Sequence, residues 1–233
     1  MIVAIDGPAG AGKSTVARAL ARSIGAAYLD TGAMYRALAW LALARGVDPD
    51  DAVPLTLLAE GNPVVLEPVP DGVRVHIAGE DVTDRIRGSE VTAAVSAVSA
   101  HRGVRAAMVA AQRVLMAEGD WVADGRDVGT VVAPTADIKV FLTAGLDERA
   151  RRRARELAGG GRRVSVAAVR DEVARRDAFD SGRAESPLLV AEGATTLDTT
   201  DMDPDQVVAH LAGLVARARP RPGVVRAEGP NRP

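Results

Sequence analysis

A chain of 233 residues, 47% of them hydrophobic, is long enough for one generous domain or for one domain carrying an inserted lobe, and a formal net charge of −2 gives no global basic field for nucleic acid or an anionic membrane. The absence of cysteine excludes disulfides, thiolate metal sites and cysteine nucleophiles and agrees with a reducing compartment. A strand-like run begins at residue 2, leaving no room for a signal peptide, and the longest uncharged apolar run, Ala37 to Ala44, is far below the ~20 residues that cross a bilayer, so a soluble cytoplasmic protein is expected.

In chain order, "IVAID" reads as a strand, followed by a helix from about Ser14 to Ile24, the strand "AAYLD", and a helix from about Gly32 to Arg45. From Pro63 to Val82 two alternating runs flank the turn "PDG", which predicts an antiparallel hairpin, either a surface ornament or part of a substrate lobe. Then come the strands "WVADG" (Trp121 to Gly125) and "IKVFL" (Ile138 to Leu142), an Arg-rich helix from about Asp147, the strand "ATTLDTT" (Ala194 to Thr200), and a helix near Asp205 to Arg217. Short β-branched strands alternating with helices predict an α/β fold with a parallel sheet covered on both faces.

The first strand runs into Gly7-Pro8-Ala9-Gly10-Ala11-Gly12-Lys13-Ser14-Thr15, a complete G-x-x-x-x-G-K-[ST] pattern with a strand before it and a helix after it. Glycines at 7, 10 and 12 let successive N–H groups point inward, and the open N–H groups of the following helix end extend this anion nest. Lys13 is expected to reach the β- and γ-phosphates of a nucleoside triphosphate, most simply ATP, and Ser14 to place its hydroxyl on Mg²⁺. A dinucleotide fingerprint is not matched, because Thr15 stands where its third glycine or alanine belongs. Neither of the two lysines, Lys13 and Lys139, lies in a guanine-reading context, and "WVADG" ends in Asp124-Gly125 rather than an acidic pair, which disfavours a switch GTPase and a motor.

Four segments, "GPAGAGKST", "LDTGAMYRA", "DGRDVGTVV" and "RRDAFDSGR" with a later "PL", occur in the order and at about the spacing of the bacterial cytidylate kinases, which the chain resembles from Ile2 to about Thr200. "GEDVTDRIR", Gly79 to Arg87, is similar to the same family and draws the hairpin into the substrate lobe. The resemblance implies one P-loop kinase domain over residues 1–217, with a core (1–40, 100–145, 185–217), an enlarged nucleoside-monophosphate-binding region (about 41–99) and a short lid (about 147–184). Residues 218–233, Pro-, Gly- and Arg-rich without periodicity, read as a disordered tail.

A nucleoside monophosphate already presents an anionic oxygen near neutral pH, since its second pKa is about 6, so the chemistry calls for cations and positioning rather than a general base. The resemblance implies that Arg36 and Arg126 grip the acceptor phosphate and that Lys13, Arg153 and Arg183 act on the transferred group, with Arg126 also counted among the catalytic residues. It implies base reading by Asp127 and Arg105, assisted by Ser96; a carboxylate and a guanidinium at the base edge suit cytosine's amine and acceptors and leave uracil mismatched. Thr31 aligns with a contact residue and equally reads as a helix N-cap. Arg176 and Asp180 match sugar-binding positions, or form an isolated ion pair. Asp124 either holds Mg²⁺ through water or bonds Ser14 or a backbone amide.

Arg149, Arg152 and Arg153 fall at i, i+3 and i+4 and predict one cationic face, read as a lid closing on ATP with Gly159-Gly160-Gly161 at its tip, or as a solvated basic face. Arg153 is the residue chosen there for ATP. The expected function is cytidylate kinase, with ATP and CMP or dCMP as small-molecule partners, no nucleic acid, no membrane, and a monomeric state. Rival readings are a P-loop kinase for another acceptor and a non-enzymatic nucleotide switch.

Overall fold

The computed structural model describes residues 1–69, 72–159, 161 and 163–218. Strand β1 (Ile2–Asp6) is central because its side chains are apolar on both faces: Val3 and Ile5 pack with one set of helices and Ala4 with the other, all fully buried. Helix α1 (Lys13–Ile24) follows the glycine loop and stops at Gly25 in a left-handed conformation, φ 69°. Strand β2 (Ala27–Asp30) leads into α2 (Thr31–Ala44), whose N-cap is Asp30, accepting from the Ala33 N–H at 2.8 Å. Strands β6 (Trp121–Gly125), β7 (Ile138–Thr143) and β8 (Thr195–Asp198) complete a five-stranded parallel sheet in the order β2-β6-β1-β7-β8. The register pairs Ile5 with Asp124 and Asp124 with Asp30, so the carboxyl ends of three strands gather Asp6, Asp30 and Asp124 at one rim.

Helices α1 and α8 (Pro204–Ala218) cover one face with Val16, Leu20, Val207 and Leu211, while α2 covers the other with Met34 and Leu38. Three helices between the sheet halves are absent from the sequence expectations: α3 (Ala52–Gly61), α4 (Ser89–Val98) and α5 (Arg102–Leu115). The hairpin is present as β3 (Val65–Val69) and β4 (Gly72–Ile77), but β5 (Glu80–Asp81) extends it to a three-stranded antiparallel sheet that buries Val75 and Ile77 against the α2 side of the core. The Pro70 and Asp71 part of its expected turn lies outside the described residues, as do Gly160 in the expected lid tip and the expected tail from residue 219 onward. Helices α6 (Leu146–Gly159) and α7 (Val166–Gly182) form a separate pair around Ala150, Val169 and Val173. Among the described residues no helix is long and apolar enough to cross a membrane.

Two backbone contacts hold the rim. The Asp6 carboxylate accepts from Val128 N–H at 2.8 Å and Gly129 N–H at 2.7 Å, which ties the end of β1 to the π-helical turn Val128–Val132; burial nevertheless pushes its pKa up to about 6. Gly7 leaves β1 at φ 150°, and a Cβ there would lie 2.0 Å from the Leu142 carbonyl oxygen of β7. We therefore expect Gly7→Ala to destabilise the protein by at least about 2 kcal/mol, because backbone rather than a movable side chain blocks the new methyl. Urea denaturation measures it; a loss below about 0.5 kcal/mol would contradict this packing.

Candidate active site

The loop from Gly7 to Thr15 is shaped from outside as well as by its glycines. Four of its carbonyls accept from other groups: Gly7 from Arg126 Nη1 at 3.1 Å, Pro8 from Lys13 Nζ at 2.8 Å, Ala9 from Arg149 Nη1 at 3.1 Å and Ala11 from Thr199 Oγ1 at 3.5 Å. With the carbonyls engaged in this way, and with Gly12 at φ 88° starting α1 without a side-chain cap, the first N–H groups of the helix have no intrahelical partner and form an anion site. Lys13 is buried, and burial together with the nearby Arg126 lowers its pKa, against the opposing pull of Asp124. Thr15 is exposed at the mouth.

The second rim group is built on Asp124. Ser14 Oγ donates to its Oδ2 at 2.9 Å and Tyr28 Oη to its Oδ1 at 2.8 Å, so both carboxylate oxygens are engaged. Burial, followed by the neighbouring Asp30, pushes the Asp124 pKa up to about 6. Thr31 is not the cap of α2, a role held by Asp30; its hydroxyl donates to the Asp124 carbonyl at 2.7 Å, locking β2 and β6 together at the rim. Arg36 donates to Asp30 Oδ2 at 2.9 Å.

Across the cavity a cluster of guanidinium groups surrounds one carboxylate. Asp180 on α7, 3% exposed, accepts from Arg126 Nε at 2.7 Å and lies 4.0 Å from Arg176 Nε and 3.7 Å from Arg183 Nη1. It is therefore not half of an isolated pair with Arg176. Burial alone would raise its pKa, but Arg126, Arg176 and Arg183 outweigh this and hold it below the usual carboxylate range. The opposite strain falls on the cations: burial, then Arg126, lowers Arg176 to about 10, with Arg36 and Arg153 adding to the crowding. Arg105 on α5 and Asp127 form a second ion pair, each 4% exposed; Arg105 also donates to the Ser99 carbonyl at 3.1 Å and lies 5.3 Å from the Tyr35 ring centre.

Lys13, Ser14, Asp30, Thr31, Arg36, Asp124 and both guanidinium–carboxylate groups line one cavity of about 890 Å³ that runs from the glycine loop to Arg105, whereas Tyr28, Arg149 and Thr199 do not reach its wall. Its walls carry nine cationic side chains against seven carboxylates, in a chain whose overall charge is −2. The Nε donors of Arg18, Arg36, Arg105, Arg176 and Arg183 are buried without a hydrogen-bond partner. A polar cavity lined by this many cationic side chains, with part of their donor capacity unmet, marks a place for an anionic ligand.

The structure brings Lys13, Ser14, Thr31, Arg36, Arg105, Arg126, Asp127, Arg153, Arg176, Asp180 and Arg183 to this cavity, but not Ser96, whose carbonyl accepts from Ser99 Oγ at 3.1 Å while Ser99 lines the wall. The expected single cationic face of α6 divides in three. Arg149 turns to the glycine loop, Arg152 donates to Thr199 Oγ1 at 3.0 Å beside β8, and Arg153, bonded to Glu156 at 2.8 Å, lines the cavity. Tyr35 lines the cavity, and Tyr28, Arg149 and Asp177 bond to the rim and the loop; of these, Tyr28, Tyr35 and Asp177 were not singled out from sequence, and Arg149 was read only as part of one cationic face.

The cytidylate kinase family model matches residues 3–217. The bifunctional pantoate ligase/cytidylate kinase of Synechococcus sp. (strain CC9902) is 52% identical over 215 residues, 91% of this chain and 44% of that protein, so the chain spans less than half the length of that relative. The cytidylate kinase of Mycobacterium avium is 48% identical over 216 residues, covering 92% of this chain and 95% of the relative. A crystal structure of an uncharacterized protein from Eubacterium ventriosum superposes with a TM-score of 0.50 at 12% identity, over 93% of this chain and 98% of that one, a likeness of fold alone. With a matching glycine loop, a guanidinium-lined cavity and near-complete coverage by the family model, this chain belongs to the cytidylate kinase family.

Proposed function

We propose that this chain transfers the γ-phosphoryl group of ATP to CMP or dCMP, giving CDP or dCDP, by direct in-line transfer without a covalent enzyme intermediate. The observation that carries the reading is the arrangement within one cavity: the glycine loop at one end, arginines whose Nε donors lack hydrogen-bond partners along its walls, and the buried Arg105–Asp127 pair at the other end. A cytoplasmic monomer fits this reading. So does a lid formed by residues 147–184 and an acceptor region over 41–99.

The chemistry asked of the protein is charge management. The acceptor phosphate is already largely dianionic near neutral pH, so no side chain has to remove a proton. Arg36 and Arg126 would hold it, Arg176 and Asp180 the sugar, and Lys13 would exchange the Pro8 carbonyl for phosphate oxygens of ATP. Arg153 and Arg183 would share the charge that spreads over the moving phosphoryl group, where fixed cations out of bulk water act most strongly. The resident metal of this reading is Mg²⁺. Ser14 Oγ and Asp124 fit it as a hydroxyl and a water-mediated carboxylate, and such an ion would take its remaining oxygens from phosphate and water. When bound, it neutralises charge on the donor phosphates.

Base choice would rest on Asp127, as acceptor for the exocyclic amine of cytosine, with Arg105 held beside it by the Ser99 carbonyl and lying over the Tyr35 ring. The direct test is ADP release measured with CMP, dCMP, UMP, AMP and no acceptor. CMP and dCMP should stand well above the others, and release that is independent of any acceptor, or greatest with AMP, would overturn the proposal. Asp127→Ala should lower the kcat/KM ratio of CMP over UMP by at least about tenfold, the scale expected when a polar readout group is removed. An unchanged ratio would remove Asp127 from base reading.

A further inference from the structure

One ion pair from outside the glycine loop grips a single loop residue by both of its backbone groups. Asp177 of α7 accepts from the Ala9 N–H through Oδ1 at 3.3 Å, while Arg149 of α6 donates to the Ala9 carbonyl through Nη1 at 3.1 Å. The same Nη1 meets Asp177 Oδ2, and Arg149 Nε donates to the Ala144 carbonyl at 2.8 Å, which fixes the plane of the guanidinium. Arg149 is 8% exposed, so this is a buried charge whose partners are all engaged on the loop and its surroundings. The approach is close enough that a Cβ on Gly10 would lie 2.8 Å from the Arg149 carbonyl oxygen.

A salt bridge meant only to join α6 and α7 exists elsewhere: Arg170 and Asp147 connect the same two helices at the exposed surface, 2.6 Å apart. The Arg149–Asp177 pair differs because its hydrogen bonds close around backbone. Ala9 precedes Gly10, and a peptide next to glycine rotates readily unless it is held. Arg149 removes that freedom from the Ala9–Gly10 peptide by holding its carbonyl, and Asp177 fixes the preceding Pro8–Ala9 peptide by its N–H. The acid adjoins Arg176 in sequence and sits one turn before Asp180, so the helix that carries the cavity's central carboxylate also sets the loop.

We infer that Arg149 and Asp177 are positioning residues that clamp the two peptide groups flanking Ala9 and so preorganise the phosphate loop for the donor nucleotide. This rests on the reading of Gly7 to Thr15 as the loop that binds ATP phosphates. Preorganised donors bind anions without first ordering themselves, so release of the clamp should weaken donor binding selectively.

The test is calorimetric binding of ADP and, separately, of CMP to wild type, Arg149→Lys, Asp177→Asn and Asp177→Leu, with the thermal midpoint of each protein measured without nucleotide. Arg149→Lys and Asp177→Leu should each weaken ADP binding by about tenfold while CMP binding stays within about twofold. Asp177→Asn keeps an oxygen for the Ala9 N–H and should lose only about threefold, an ordering a simple interhelical salt bridge would not give. The inference is overturned if ADP affinity stays within about twofold of wild type in Arg149→Lys, if Asn and Leu at 177 are equally damaging, or if ADP and CMP affinity fall together in step with the thermal midpoint. Should Asp177→Leu not fold, the ADP-to-CMP ratios of Arg149→Lys and Asp177→Asn decide alone. Binding needs no turnover, so a wild type that binds ADP yet leaves CMP unphosphorylated overturns the substrate proposal without touching these ratios.

Discussion

The site is governed by like charges held closer together than they would choose. Arg126, Arg176 and Arg183 all face Asp180, and one carboxylate cannot neutralise three guanidinium groups buried in the same cavity. Burial, with the crowding of Arg126 added, lowers the Arg176 pKa to about 10, and several Nε atoms are left without partners. A protein tolerates such an arrangement when it is completed by an anion, and phosphate oxygens, which accept from forked N–H pairs, are the natural complement. Removing Asp180 from this account would leave the cations with nothing to orient them; removing the cations would leave a buried acid with no reason to ionise.

The fold serves that cluster by bringing distant chain segments to one rim. Parallel strands β2, β6 and β1 end together, which puts Asp30, Asp124 and Asp6 side by side, and each acid then organises something else. Asp30 caps α2 and steadies Arg36, Asp124 collects Ser14 and Tyr28, and Asp6 ties the π-helical turn after Asp127 to the end of β1. Arg126 spans the gap between loop and cluster, since it bonds both the Gly7 carbonyl and Asp180. Loop and cluster are thus joined through one side chain.

Much of this was legible in the sequence because it is local. The glycine loop, its flanking strand and helix, and the apolar strands that build the sheet all declare themselves within ten residues or so, and the cavity arginines lie inside short motifs such as "DGRD" and "DSGR". What stayed hidden depends on long separations. Ala9 and Asp177 are 168 positions apart, and Arg149 looked like one of several equivalent arginines on a basic helix face until the packing of α6 against the loop distinguished it from Arg152 and Arg153. Ser96 and Ser99 are one helical turn apart at the end of α4, and only the fold decides which one faces the cavity. Tyr28 read as an ordinary strand residue, since nothing in "AAYLD" says that its hydroxyl meets an acid on the neighbouring strand.

The central claim is that guanidinium groups of this crowded cavity, Arg36 and Arg126, hold the acceptor by its phosphate. Calorimetric titration of the protein with CMP and with cytidine tests it most directly, because the two differ only in that group. The account predicts that cytidine binds at least about 100-fold more weakly, in keeping with the loss of several charge-assisted hydrogen bonds. Affinities within about threefold of each other would mean that the arginine cluster serves some other purpose.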